Sequence, residues 1–194
     1  IRDRDRLQQI VDWPMSKGLV TIIDFHGAKL KENFLYTFDQ SDINGVNYYS
    51  NPTSAKRIAD LNKFKAIWRD IAERFKDYPE TLLFEVFNEP YFWLSANEIS
   101  TISSDIINIV RSSGSNNESR KIIITGGDTN SWEVIFQIPN DLINSDPNLI
   151  ATFHYYQPMS FTSSMQENNN NFNLSQNAKN QICLLYTSDA ADED

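Results

Sequence analysis

The sequence predicts an α/β fold, a parallel sheet covered by helices, on three observations. Short β-branched runs alternate with longer stretches of helical periodicity along the chain, the order that builds parallel strands with helical crossovers. The runs are nearly continuous in apolar residues, as strands buried on both faces are. Each run also closes on polar side chains at its C-terminal end: Asp24 and His26, Asn88 and Glu89, Asp128 and Asn130, His154 and Tyr156.

Leu7, Ile10 and Val11 give a helical spacing over Arg6 to Lys17, with Gly18 as a C-terminal glycine. Pro14 is expected to bend or shorten its last turn. Leu19 to Phe25 (LVTIIDF) is long enough for a buried strand and too short for a core helix. Lys29 to Asn51 is too irregular for a regular element and long for a loop without a function. From Ser54, apolar residues recur at Ile58, Leu61, Phe64, Trp68, Ile71, Ala72 and Phe75, one face of a long helix.

Thr81 to Phe87 is the next strand. Ser95-Ala96-Asn97-Glu98 has capping-box spacing, and Ile99, Ile102, Ile106 and Ile109 supply the stripe of the following helix. Lys121 to Thr125 is a third strand, Asp141 to Asn144 a weak helical segment, and Leu149 to Phe153 a fourth strand. Asn168 to Asn171 reads as a solvated loop.

Polar residues gathered at the C-terminal strand ends match the place where a (β/α)8 barrel carries its active site. Strand alternation puts Asp24 with His26, Glu85 with Glu89, and His154 with Tyr156, each pair on the inward face. Asn88 falls opposite Glu89 in an ideal strand. For both to reach one site the strand must distort, and a bulge at its end would do so.

The composition narrows the function. Of 194 residues, 40% are hydrophobic and 12% aromatic, an ordinary globular mixture, and 17 Lys and Arg against 26 Asp and Glu give a formal charge of −9. No basic footprint marks a nucleic-acid partner, so a neutral substrate is expected. No apolar run reaches the roughly 18 residues of a membrane span, and the first residues are too charged for a signal peptide, so any export signal is expected to lie outside them.

Both ends are expected to be foreign to the domain. Cys183 to Asp192 resembles, residue for residue, the translation of a transposase sequencing adapter, and Ile1 to Arg4 resembles its opposite end. Residues 1–4 and 183–194 are therefore set apart from a partial barrel domain over residues 5–182. Cys183, the single cysteine, falls in the set-apart tail and says nothing of redox compartment.

The run Leu82 to Pro90 (LLFEVFNEP) and the run Phe153 to Pro158 (FHYYQP) resemble glycoside hydrolase family 5, the cellulase family. The helix Ile67 to Phe75 (IWRDIAERF) is similar to the family's helix before its acid/base strand. The resemblance covers roughly residues 5 to 163. It implies a TIM (β/α)8 barrel, present only as a fragment of about strands three to six. It also implies that Glu89 is the general acid/base, that Asn88 contacts the sugar 2-hydroxyl, and that His26, His154 and Tyr156 line the cleaved-sugar subsite.

The family's nucleophilic Glu belongs to the seventh strand. It has no counterpart here, nor have the family's Arg of the second strand and Trp of the eighth, so this chain is expected to be an incomplete catalytic domain, inactive alone.

The chemistry accounts for the residue types. A retaining glycosidase uses one carboxyl to protonate the leaving oxygen and a second to attack the anomeric carbon. Glu89 supplies only the first. The aromatic residues after strand ends, Tyr91, Phe92, Trp93, Trp132, Tyr155 and Phe161, could stack on pyranose faces, though ordinary core or loop aromatics explain each one singly as well. Trp132 is carried forward as a substrate-binding candidate.

A β-glucan polysaccharide or oligosaccharide is the expected partner. The sequence leans to β-1,4-glucan by resemblance, with mannan, xyloglucan and mixed-linkage glucan as alternatives. No cofactor is expected. A metal site at Asp24, His26 and His154 is disfavoured by the supply of only two histidines. A non-catalytic carbohydrate-binding barrel is the rival reading, and a piece without activity of its own is a third. The full-length protein is expected to be secreted.

Overall fold

The computed structural model describes residues 4–26, 55–88, 96–126 and 138–154. Helix α1 (Arg4–Met15) begins two residues before the expected Arg6 and stops two before Lys17. Pro14 brings no N–H to the last turn, the Ser16 N–H still donates to the Asp12 carbonyl at 2.8 Å, and the bonding then tightens, with the Lys17 N–H donating to the Pro14 carbonyl at 3.0 Å. The chain reverses at Gly18, where φ is +75°, a conformation that a side chain disfavours. Val11 is buried and Leu7 partly so, while Ile10 and Trp13 are exposed.

Strand β1 (Thr21–Asp24) follows; Leu19 and Val20, expected in the strand, are exposed residues of the connection. Helix α2 (Ala55–Phe75) leads to β2 (Leu82–Glu85), and helix α3 (Ala96–Ser112) leads through a 3₁₀ turn (Ser115–Glu118) to β3 (Ile122–Ile124). A single-turn helix α4 (Asn140–Ile143) precedes β4 (Leu149–Ala151). The four strands pair side by side in chain order, every pair parallel.

In-phase register gives the sheet two distinct faces. Asp24 pairs with Glu85, Glu85 with Ile123 and Ile123 with Ile150, so these residues form one row on a single face. Ile22 and Leu83 form the start of the next row. The other face is the core. Ile23, Leu82, Phe84, Ile122 and Ile124 are buried there together with Phe64, Trp68, Ile71, Ala72 and Phe75 of α2. The Trp68 and Phe84 rings meet at 5.7 Å.

Ile99, Ile102, Ile106 and Val110 of α3 complete this core. Ile58, expected on the apolar face of α2, is exposed instead.

A buried arginine ties the helix ends to the sheet opposite the strand C-termini. Arg120 is 1% exposed. Its guanidinium donates to the carbonyls of Phe75 at 2.9 Å, Tyr78 at 2.8 Å, Pro79 at 3.0 Å and Leu82 at 2.6 Å. Nε donates to Asn117 Oδ1, and the cation sits 4.9 Å over the Phe84 ring. Asn117 Nδ2 in turn donates to the Ala72 carbonyl at 2.9 Å.

These bonds give a side-chain donor to carbonyls at the end of α2, in the turn after it and at the start of β2, where helical partners have run out. Burial, reinforced by the Arg111 cation, pushes the Arg120 guanidinium down to about 10, which still leaves it charged at neutral pH. In a barrel this end serves stability, and the other end serves function.

Candidate active site

The functional end of the sheet is shaped by a register slip in β2. The Phe25 N–H donates to the Glu85 carbonyl at 3.3 Å. An undistorted parallel ladder would continue with the Phe87 N–H donating back to the Phe25 carbonyl. The Asn88 N–H does so instead, at 3.2 Å, while the Val86 N–H still donates to Ile123 at 3.0 Å. One extra residue is accommodated at the end of β2, which is a bulge.

The packing agrees with the hydrogen bonds. Phe84 meets Trp68 on the helical face of the sheet. Phe87, three residues on, should point the other way by strict alternation, yet its ring stacks on Phe64 at 4.7 Å. Phe25 also meets Phe64, edge to face at 4.8 Å. Alternation has therefore slipped by one between Phe84 and Phe87, and Asn88 comes to the face that carries Asp24 and His26.

The slip places Asn88 Nδ2 3.4 Å from His26 Nδ1, and His26 Nε2 lies 3.3 Å from Asp24 Oδ2. Asn88 is buried and Asp24 largely so, whereas the His26 side chain is 74% exposed. Glu85, beside Asp24 in the register, adds a second carboxyl to the same face.

Of the residues singled out from sequence, His26 and Asn88 are thus brought together. His154 lies three residues beyond β4, is partly buried, and begins a second compact unit of the chain, His154–Asp194, apart from Ile1–Phe153. Glu89, Trp132 and Tyr156 lie outside the described residues, as do Asp128, Asn130, Tyr91, Phe92, Trp93, Tyr155 and Phe161. Among the described residues no group of three His, Cys, Asp or Glu side chains is placed to hold a metal ion.

The sequence reading did not anticipate the aromatic seat formed by Phe25, Phe64 and Phe87.

A parallel sheet of βα units, with polar side chains at the C-terminal strand ends, defines part of a (β/α)8 barrel. The cellulase family, glycosyl hydrolase family 5, matches residues 2–188, and the chain belongs to that family. It is 39% identical over 159 residues to endoglucanase H of Acetivibrio thermocellus, covering 81% of this chain and 14% of that protein.

Among solved structures, it is similar to a GH5 xyloglucan-specific endo-β-1,4-glucanase from a metagenomic library in complex with cellotriose. That likeness has 28% identity and a TM-score of 0.65, and it covers 94% of this chain and 51% of the other. A glycoside hydrolase 5 lichenase from Caldicellulosiruptor sp. F32, a mutant in complex with cellotetraose, is 26% identical with a TM-score of 0.66, over 92% of this chain and 49% of the other. The chain thus spans about half the length of these two structures.

Proposed function

We propose that this chain is part of the catalytic domain of a retaining endo-β-1,4-glucanase, with Glu89 as general acid/base. The observation that supports the reading best is the family match over residues 2–188, a span that includes Asn88-Glu89-Pro90. Glu89 directly follows Asn88, whose backbone the bulge ties to Phe25. In this reading Glu89 protonates the leaving glycosidic oxygen, and a carboxylate from another part of the barrel attacks the anomeric carbon. A glutamate serves as the acid near neutral pH when burial or a neighbouring negative charge raises its pKa.

Asn88 contacts the 2-hydroxyl of the sugar being cleaved, His26, His154 and Tyr156 wall its subsite, and Trp132 stacks on a pyranose face. The substrate is a β-1,4-glucan backbone, consistent with the cello-oligosaccharides held by two similar structures. The chain alone is an incomplete catalytic domain of a secreted protein. No helix among the described residues is long and apolar enough to cross a membrane.

The test is proton NMR of the first product released from a β-linked cello-oligosaccharide by the full-length protein. Initial release of the β-anomer is expected. Initial α-anomer would overturn retention, and no hydrolysis of any β-glucan would overturn the enzyme reading.

A further inference from the structure

The contacts of His26 select one tautomer of its ring. An ionised carboxylate only accepts hydrogen bonds, and an amide nitrogen only donates them. Asp24 Oδ2 faces His26 Nε2 at 3.3 Å, and Asn88 Nδ2 faces His26 Nδ1 at 3.4 Å. A neutral imidazole meets both demands in one form, with the proton on Nε2 and the lone pair on Nδ1. The two partners therefore reinforce each other, and the ring passes the preference of Asp24 on to the amide of Asn88.

We propose that Asp24 is a positioning residue that sets the direction of the Asn88 amide through His26. Its catalytic consequence rests on the glycosidase reading above; its geometry does not. With Nδ2 drawn to the imidazole, Oδ1 lies on the opposite side of the amide group, and a rotated amide would exchange acceptor for donor at the position where a sugar hydroxyl is read. Contacts to the 2-hydroxyl strengthen on approach to the transition state. Loss of the preferred orientation therefore lowers kcat more than it raises KM.

Asp24→Asn tests this with a side chain of the same shape. An amide can donate to the ring as readily as accept from it, so the variant keeps a hydrogen bond but releases the tautomer. In the full-length protein, kcat on a cello-oligosaccharide is expected to fall on the order of tenfold, as for weakening of one hydrogen bond to a charged group, with KM nearly unchanged. The loss is expected to vanish in a His26→Gln background, because the relay is already broken there.

Nitrogen-15 chemical shifts of His26, assigned with the His26→Gln variant, should report the Nε2–H tautomer in the wild type and a mixture in Asp24→Asn. A wild-type ring protonated on Nδ1, or an unchanged kcat in Asp24→Asn, overturns the proposal. If the wild-type protein hydrolyses no β-glucan, the glycosidase reading fails, and the tautomer measurement still decides the relay.

Discussion

Phe87 lies flat against Phe64, their ring centroids 4.7 Å apart and their planes 12° from parallel. This contact anchors the bulged residue on the helical face and so turns the next residue, Asn88, toward His26. Phe64→Ala is expected to cost about 3 to 5 kcal/mol of stability, the usual range for truncating a buried aromatic ring. Phe64→Leu fills most of the space without the flat ring face, and is expected to cost less stability while loosening Asn88. Urea unfolding of the intact protein measures the first effect, and kcat on a cello-oligosaccharide the second.

Arg120 makes a different kind of contribution. Removing its side chain takes a donor from the carbonyls of Phe75, Tyr78, Pro79 and Leu82, of which the first three keep another, from Tyr78 N–H, Asn116 Nδ2 and Leu82 N–H. Arg120→Met is expected to destabilise by about 3 to 5 kcal/mol, as breaking a buried charged network does. Arg120→Lys should recover only part of this, because an ammonium cannot reproduce the planar fork of donors. Thermal unfolding midpoints of the two variants check the order.

The ion pair of Arg111 with Asp146, 2.7 Å long and little exposed, makes stability depend on acid. Burial works to raise the Asp146 carboxyl, but the hydrogen bond from Arg111 and those from Asn148 outweigh it and hold the group below its ordinary 3.8. A carboxyl depressed in the folded state stabilises the fold above its unfolded pKa, and that stabilisation fades as pH falls through the folded value. Asp146→Asn is expected to cost about 1 to 2 kcal/mol at pH 7, the worth of a hydrogen bond to a charged group. The cost should shrink below pH 4. Urea midpoints of both proteins from pH 7 to pH 2 would show the curves converging.

Ser103 is buried in α3, and its hydroxyl has no hydrogen-bond partner among the described residues. Burying an unpaired hydroxyl is unfavourable, and alanine is the better helix former. Ser103→Ala is therefore expected to leave stability unchanged or raise it by up to about 1 kcal/mol. A clear fall in the unfolding midpoint would mean that the hydroxyl is satisfied.

The order of helices and strands was legible because period and burial agree: Ile99, Ile102 and Ile106 recur at helical spacing and are all buried. Strand ends were less so. Leu19, Val20, Thr125 and Phe153 belong to the strand-like runs but lie outside the ladder, and Leu19, Val20 and Phe153 are exposed there, so apolar composition alone fixed neither pairing nor burial at the strand ends. A distortion beside Asn88 followed from alternation together with the condition that Asn88 and Glu89 reach one site. The Asp24–His26–Asn88 chain did not, because it depends on which nitrogen faces which oxygen. Arg120 drew no notice in the sequence, and only the fold reveals the ring of carbonyls that its guanidinium serves.

The last prediction concerns Glu89 in the full-length protein. Glu89→Gln keeps the shape of the side chain and removes the transferable proton. If Glu89 is the acid/base, kcat on a cello-oligosaccharide should fall by about 100- to 10,000-fold, the range for general acid–base assistance. An aryl cellobioside with a good leaving group departs with little protonation, so its first step should suffer much less. Hydrolysis of the glycosyl-enzyme also needs Glu89, now as base, and that step becomes limiting for such a substrate. Azide, which attacks without a base, should then restore turnover and yield the β-glycosyl azide if configuration is retained. The decisive comparison is the ratio of natural to activated substrate rates in wild type and variant. Equal losses on both substrates, or near-normal activity of the variant, would remove Glu89 from the acid/base role.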